Sequence, residues 1–124
     1  MNLPGDLKYT EDHEWVRIDG NVAEVGITDY AQSQLGDIVF VDVQTEGEDL
    51  AKGEKFGDIE AVKTVAEALM PLSGKVVEVN PELADAPELV NSDPYGKGWM
   101  IKINISDPEE ISTLKTAKEY QAII

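Results

Sequence analysis

The chain has 124 residues, 42% of them apolar and 28% charged, enough for one globular unit with a single modest core. Its 25 acidic residues against 10 basic ones give a formal net charge of −15. Such a surface repels phosphate backbones and anionic membranes, so neither nucleic acid nor membrane is an expected partner. Partners with basic docking faces suit it better, and solubility alone also accounts for it. With no cysteine and His13 as the single histidine, disulfides, thiolate nucleophiles and imidazole-rich zinc sites are excluded. A serine triad would have to use His13, and no nucleophile-elbow pattern accompanies it. Group-transfer or redox chemistry would therefore depend on something attached to the protein.

No apolar run approaches the roughly 20 residues that span a bilayer, and the opening MNLPGDLKY lacks the pattern of a secretory signal. A cytoplasmic chain is expected, or a mitochondrial-matrix one if it is a processed eukaryotic protein. Glu14–Ile18 and Val22–Ile27 read as strands around Asp19-Gly20, a pair suited to a type I′ hairpin turn. Thr28 can cap a short helix over about 29–35, ended by Gly36. Asp37–Val43 is rich in β-branched and aromatic residues and predicts a partly or fully buried strand. Gln44–Lys55, with two glycines and four acidic residues, reads as a solvated loop.

The stretch from Phe56 to Pro71 is ambiguous. Ile59, Val62, Ala66 and Leu69 fall at helical spacing, and local propensity alone predicts a helix. Pro71–Gly74 is a turn, Lys75–Val79 an alternating strand, and Trp99–Ile105 a closing strand. The intervening residues 80–98, with three prolines and two glycines, are expected to be irregular. At the C-terminus, Asp107 as N-cap, Pro108 at the first helical position and Glu110 in a capping-box-like place predict a helix from about 108 to 120. One mainly β domain over 1–124 follows, with no dividing linker and no internal repeat.

A lysine is a plausible attachment point because an activated acid can acylate its amine, but nine are present and physics alone does not choose among them. Lys63 lies between Val62 and Val65, with Glu60 and Glu67 nearby. Read locally, it is an ordinary helical lysine paired with Glu67 at i+4.

The run Gly57-Asp-Ile-Glu-Ala-Val-Lys63-Thr-Val-Ala-Glu, followed by Pro71-Leu-Ser-Gly-Lys-Val-Val-Glu-Val-Asn80, resembles the lipoyl/biotinyl carrier pattern. Further motifs narrow the resemblance to the glycine cleavage H proteins: Leu7-Lys-Tyr9, His13-Glu-Trp-Val16, Val25-Gly-Ile-Thr-Asp-Tyr-Ala31, Leu35-Gly-Asp-Ile-Val-Phe-Val41 and Val90-Asn-Ser-Asp-Pro-Tyr-Gly-Lys-Gly-Trp-Met100. The resemblance extends from Leu7 to the C-terminal Ala117-Lys-Glu-Tyr120. It implies a barrel-sandwich hybrid in which residues about 56–71 form a β-hairpin with Lys63 at its tip, which overrides the helical reading. Val62 and Thr64 stand where biotin carriers have methionines, and 2-oxoacid dehydrogenase lipoyl domains lack the Trp15 and Trp99 segments. The family usually has Glu-Ser-Val-Lys where this chain has Glu60-Ala61-Val62-Lys63. Ala61 stays small, so attachment is expected to persist.

The same resemblance implies a non-catalytic shuttle with (R)-lipoate joined to Lys63. The arm would take glycine's aminomethyl group from the pyridoxal-phosphate glycine decarboxylase to the tetrahydrofolate-dependent aminomethyltransferase. Dihydrolipoyl dehydrogenase would then reoxidise it, and a lipoate ligase or lipoyl transferase would install it. The absence of cysteine fits, since a protein thiol could exchange with the lipoyl disulfide. Glu14 matches the position of a cleft carboxylate that holds the loaded amine, and Asp12, Gln34 and Glu67 are further cleft candidates by alignment. On strand alternation His13 and Trp15 would face away from Glu14. His13, Trp15 and Trp99 are expected to be structural, and a monomer is expected. The rivals are a related carrier that relays lipoyl groups to other enzymes, and an unmodified acidic module that only binds proteins.

Overall fold

The computed structural model describes residues 2–124. Two antiparallel sheets enclose the main core. The larger has six strands in the order β1 (Lys8–Tyr9), β2 (Glu14–Asp19), β3 (Val22–Ile27), β9 (Ile101–Ile105), β8 (Gly74–Val79) and β5 (Asp49–Leu50). The smaller has three, in the order β4 (Ile38–Asp42), β6 (Lys55–Ala61) and β7 (Val65–Leu69). Val16, Val25, Val76, Ile101 and Ile103 from the larger sheet meet Ile38, Phe56, Ile59 and Ala68 from the smaller. This is the expected barrel-sandwich architecture.

A second apolar cluster covers the outer face of β2: Leu7, Tyr9, Trp15, Tyr95 and Tyr120, with Trp99 at its margin. Both faces of β2 are thus covered, which explains why Glu14, Trp15 and Val16 are buried in succession. Gly26 pairs with Trp15 across β2 and β3. A Cβ on Gly26 would lie 2.7 Å from Trp15 Nε1 and 2.8 Å from Cε2. The indole is fully buried and donates to the Pro94 carbonyl at 2.9 Å, so it has nowhere to retreat. Gly26→Ala is expected to destabilise the protein by about 2–3 kcal/mol through overpacking, measurable as a lower denaturant midpoint.

Several expectations change in detail. Asp19 pairs with Val22, so the two-residue turn is Gly20-Asn21 rather than Asp19-Gly20. Only Gly20 of that pair has a positive φ, +62°, which matches a II′ pattern rather than I′. The predicted loop 44–55 contains β5, which pairs with β8. In β4 only Ile38 is buried, and a register irregularity leaves Val39 and Phe40 exposed. The stretch 80–98 contains two single-turn helices, α2 (Glu82–Asp85) and α3 (Leu89–Ser92).

The C-terminal helix begins where expected but is broken in two. Pro108–Thr113 is a 3-10 turn, Leu114 is extended, and α4 (Ala117–Gln121) starts afresh from Thr116. Asp107 does accept from the Glu109 amide. Glu110, however, turns away and accepts from the Ser73 amide at 2.7 Å and the Ser73 hydroxyl at 2.9 Å. Tying the chain to the 71–74 turn takes precedence over the local cap. The actual capping box is Thr116 with Glu119. No helix among the described residues is long and apolar enough to cross a membrane.

Candidate functional site

Local propensity loses to sheet pairing around Lys63. Strands β6 and β7 pair from Lys55–Leu69 through Glu60–Val65. A helix with Ile59, Val62, Ala66 and Leu69 on one face would bury Val62, yet Val62 is 71% exposed and Val65 59% exposed. The alternating positions Ile59, Ala61 and Ala68 turn inward instead. The tip is closed by the Ala61 amide donating to the Thr64 carbonyl at 2.8 Å. Neither Val62 nor Lys63 has a positive φ, so the turn needs no glycine. Ala61 contributes its backbone and a small buried side chain to the tip.

The tip is braced from below. The Val62 amide donates to the Asp37 carbonyl at 3.0 Å. Asn91 accepts from the Ile38 amide and donates to the Gly36 carbonyl and to Gln32 Oε1, each at 2.9 Å. Gly36 (φ +79°) ends α1 (Asp29–Leu35), and a Cβ there would meet Lys63 Cε at 3.4 Å. The exposed lysine stem thus lies across the residue that ends the helix.

The two arms of the hairpin supply one wall of a cleft of about 240 Å³, through Ile59, Ala66 and Glu67. The opposite wall is α1, which presents Tyr30, Ala31, Gln34 and Leu35. The end of β3 adds Ile27, and the approach to β2 adds Asp12, His13 and Glu14. All four cleft candidates from the sequence, Asp12, Glu14, Gln34 and Glu67, line this one space. Asp12, Gln34 and Glu67 are exposed at its rim, whereas Glu14 is only 2% exposed. Glu67 lies 3.9 Å from Lys55 and does not pair with Lys63 along a helix as the local reading had it.

Strand alternation places Glu14 on the inward face of β2 with Val16, where it is buried rather than solvated. Its Oε1 accepts from the Thr10 hydroxyl at 2.6 Å. Burial pushes its pKa up to about 7, the Thr10 hydrogen bond pulls it down, Asp12 adds repulsion, and the Leu69 amide stabilises the anion. Glu14 and Asp12 also border a second, polar cleft of about 180 Å³ that includes Lys52 and Lys115.

His13 departs from expectation. Its φ of +72° breaks the alternation just before β2, so its ring lines the cleft beside Glu14 instead of facing away. Trp15 does face away and is buried in the second cluster. Sequence reasoning did not single out Tyr30, Ala31 or Leu35 as cleft residues. Their spacing with Gln34 on one capped helix was the available signal. Asn91 gave no such signal, because it joins residues more than fifty positions away.

With this geometry in place, comparisons with known proteins give a consistent result. Residues 7–124 match the family model described as glycine cleavage H-protein. The glycine cleavage system H protein of Bacteroides fragilis is 56% identical over 124 residues, covering 100% of this chain and 98% of that protein. The crystal structure of a glycine cleavage system H protein from Mycobacterium marinum superposes with a TM-score of 0.88 at 41% identity, covering 97% of each chain. The chain belongs to the glycine cleavage H-protein family.

Proposed function

We propose that the chain is the lipoyl carrier of a glycine cleavage system, with the lipoyl group in amide linkage to Lys63 Nζ and its loaded end sheltered in the cleft beside Glu14. One observation carries this reading: the hairpin that holds Lys63 at its exposed tip also forms a wall of the cleft that gathers Asp12, Glu14, Gln34 and Glu67. Ile59 and Glu67 lie four residues from Lys63 along the two arms, about 13 Å at strand spacing. The cleft suits the group chemically. Its apolar lining of Ile27, Ala31, Leu35, Ile59 and Ala66 fits a hydrocarbon chain, and its carboxylates fit a cationic end.

When bound, the lipoyl group would supply a disulfide whose reductive opening leaves one sulfur to carry a one-carbon amine and the other as a thiol. The chain's own residues position and shield it. Lys63 presents the attachment point on a two-stranded support that several enzymes can approach. Glu14 sits where a cationic amine entering the cleft would meet it, and that charge favours the ionised carboxylate. The ion pair that results is charge-assisted and largely removed from water. Asp12 and Glu67 act from the rim, where solvent and salt weaken them. Gln34 offers an amide donor and acceptor without charge. The partners in this reading are the pyridoxal-phosphate glycine decarboxylase, the tetrahydrofolate-dependent aminomethyltransferase, dihydrolipoyl dehydrogenase and a lipoate ligase or lipoyl transferase.

Peptide-mapping mass spectrometry after treatment with a lipoate ligase and free lipoate tests the proposal. One lipoyl amide on the peptide containing Lys63 is the expected result. An unmodified Lys63, under conditions that fully modify another lipoyl domain, would overturn it.

A further inference from the structure

The cleft wall is tied to the C-terminal helix by a buried hydrogen-bond chain. Tyr120 of α4 is fully buried, its ring stacked on Tyr9 with centroids 5.0 Å apart and planes 7° from parallel. Its hydroxyl lies 2.7 Å from His13 Nδ1 and 2.8 Å from Thr28 Oγ1. Thr28 is itself the N-cap of α1 and accepts the Ala31 amide at 3.1 Å. One phenol therefore joins α4, the cap of the helix that forms one cleft wall, and the histidine that lines the cleft.

The hydrogens of this chain can be placed by elimination. Thr28 is completely buried, and Tyr120 is the acceptor within reach of its hydroxyl proton. If Thr28 donates to Tyr120, then Tyr120 has its own proton to give, and His13 Nδ1 must accept it. The reverse order would leave the Thr28 proton buried without a partner, at a cost of about 1–3 kcal/mol. A histidine that accepts at Nδ1 is neutral and carries its proton on Nε2.

We propose that Tyr120 is a positioning residue for the cleft: through its hydroxyl it holds His13 as the neutral Nε2–H tautomer, so that the wall beside Glu14 offers a donor and no positive charge. This rests on the reading of the cleft as the shelter of a cationic amine. The groups facing His13 are Asp12 and Glu14 on its own segment, Tyr30 on α1, Tyr120 on α4 and Glu67 across the cleft. None is basic. An imidazolium here would be the sole cation among them, and it would compete with the amine for the same carboxylates. Burial lowers the pKa of His13, and the neighbouring Asp12 opposes that shift.

Because His13 is the only histidine, its ring nitrogens can be assigned by nitrogen-15 NMR without ambiguity. The unlipoylated full-length protein is expected to show the Nε2–H form near neutral pH, with a midpoint below the ordinary 6.5. Tyr120→Phe keeps the stacked ring and removes only the hydroxyl. It is expected to yield mixed tautomers and a midpoint above the parent's, because the neutral imidazole loses the hydrogen bond that favours it, while Thr28→Ser, which keeps the donor, leaves both as in the parent. An Nδ1–H form in the unmutated protein overturns the inference without reliance on any variant, as does a Tyr120→Phe spectrum identical to the parent's. In lipoylated, amine-loaded protein, Tyr120→Phe is expected to shorten the lifetime of the load as pH falls through the new His13 midpoint. An unchanged lifetime alongside the expected NMR result would retain the tautomer and remove its role toward the load. Failure of Lys63 to accept lipoate would instead strike the underlying reading of the cleft and leave the NMR result standing.

Discussion

Lys63→Arg is expected to abolish lipoyl attachment completely while leaving the melting temperature of the unmodified protein within about 2 °C, as befits an exposed position away from the core. A guanidinium keeps the charge and length of the side chain but stays protonated and cannot be acylated as an amine can. The exposed Lys63 makes none of the ion pairs found elsewhere in the structure, so the fold loses little. Three other lysines are held in place. Lys55 pairs with Asp58, Lys102 lies over Trp99 and near Glu78, and Lys52 donates to Thr113. Only Lys63 stands at the tip of the β6–β7 hairpin, and that presentation is the expected basis for choosing it among the nine lysines. Intact-mass spectrometry after ligase treatment checks this. A lipoyl group found on another lysine of the arginine variant would mean that amine reactivity, and not hairpin presentation, chooses the site.

The second large effect is on stability and its dependence on pH. Glu14→Gln is expected to stabilise the unmodified protein at pH 8 by up to about 3 kcal/mol and to change it little at pH 4. In the unfolded chain the carboxyl has its ordinary pKa of 4.5, and in the folded protein burial raises it to about 7. Below 4.5 it is neutral in both states and folding carries no electrostatic cost. Between 4.5 and 7 the unfolded chain ionises while the folded one resists, so stability falls as pH rises. Above 7 the fold holds a buried anion and the full penalty is present. Glutamine has no such titration, and its side-chain oxygen can still accept from the Thr10 hydroxyl. Thermal or denaturant melts of both proteins from pH 4 to 8 measure the difference. A constant offset across that range would mean that Glu14 titrates near its ordinary value and that its burial is not felt. The stabilising variant should also hold a cationic amine less well, since the same carboxylate that weakens the fold is the one placed to pair with that charge.

Much of the fold was legible from local rules. Alternation in Glu14–Ile18, Val22–Ile27 and Trp99–Ile105 marks strands that the structure contains, because side chains on a half-covered sheet must alternate. The cap at Thr28 and the stop at Gly36 bound α1 correctly, since both satisfy or release backbone groups within a few residues. The Lys63 hairpin was legible only through resemblance. Its residues favour a helix in isolation, and the helix loses to strand pairing on both sides of β6: with β7 inside the hairpin and with β4, some twenty positions earlier.

The cleft shows the same division. Four of its residues were named from the sequence by alignment with a family pattern, but nothing in their spacing shows that they meet. Nothing in the residues beside Glu14 marks it as buried; the second apolar cluster and the small sheet, which cover both sides of β2, bury it. His13 reads as facing away until its positive φ turns it inward. Glu110 reads as a helix cap until Ser73 takes its carboxylate. By itself, the sequence determined the class of molecule: acidic, without cysteine or clustered histidine, and mainly β. It also determined those strands and caps whose causes lie within a few residues. The tertiary structure decided which carboxylate is buried, which lysine protrudes and which hydroxyl orients the histidine. Burial, exposure and hydrogen-bond direction at those positions depend on chain segments up to 107 residues apart, which only the packed fold brings together.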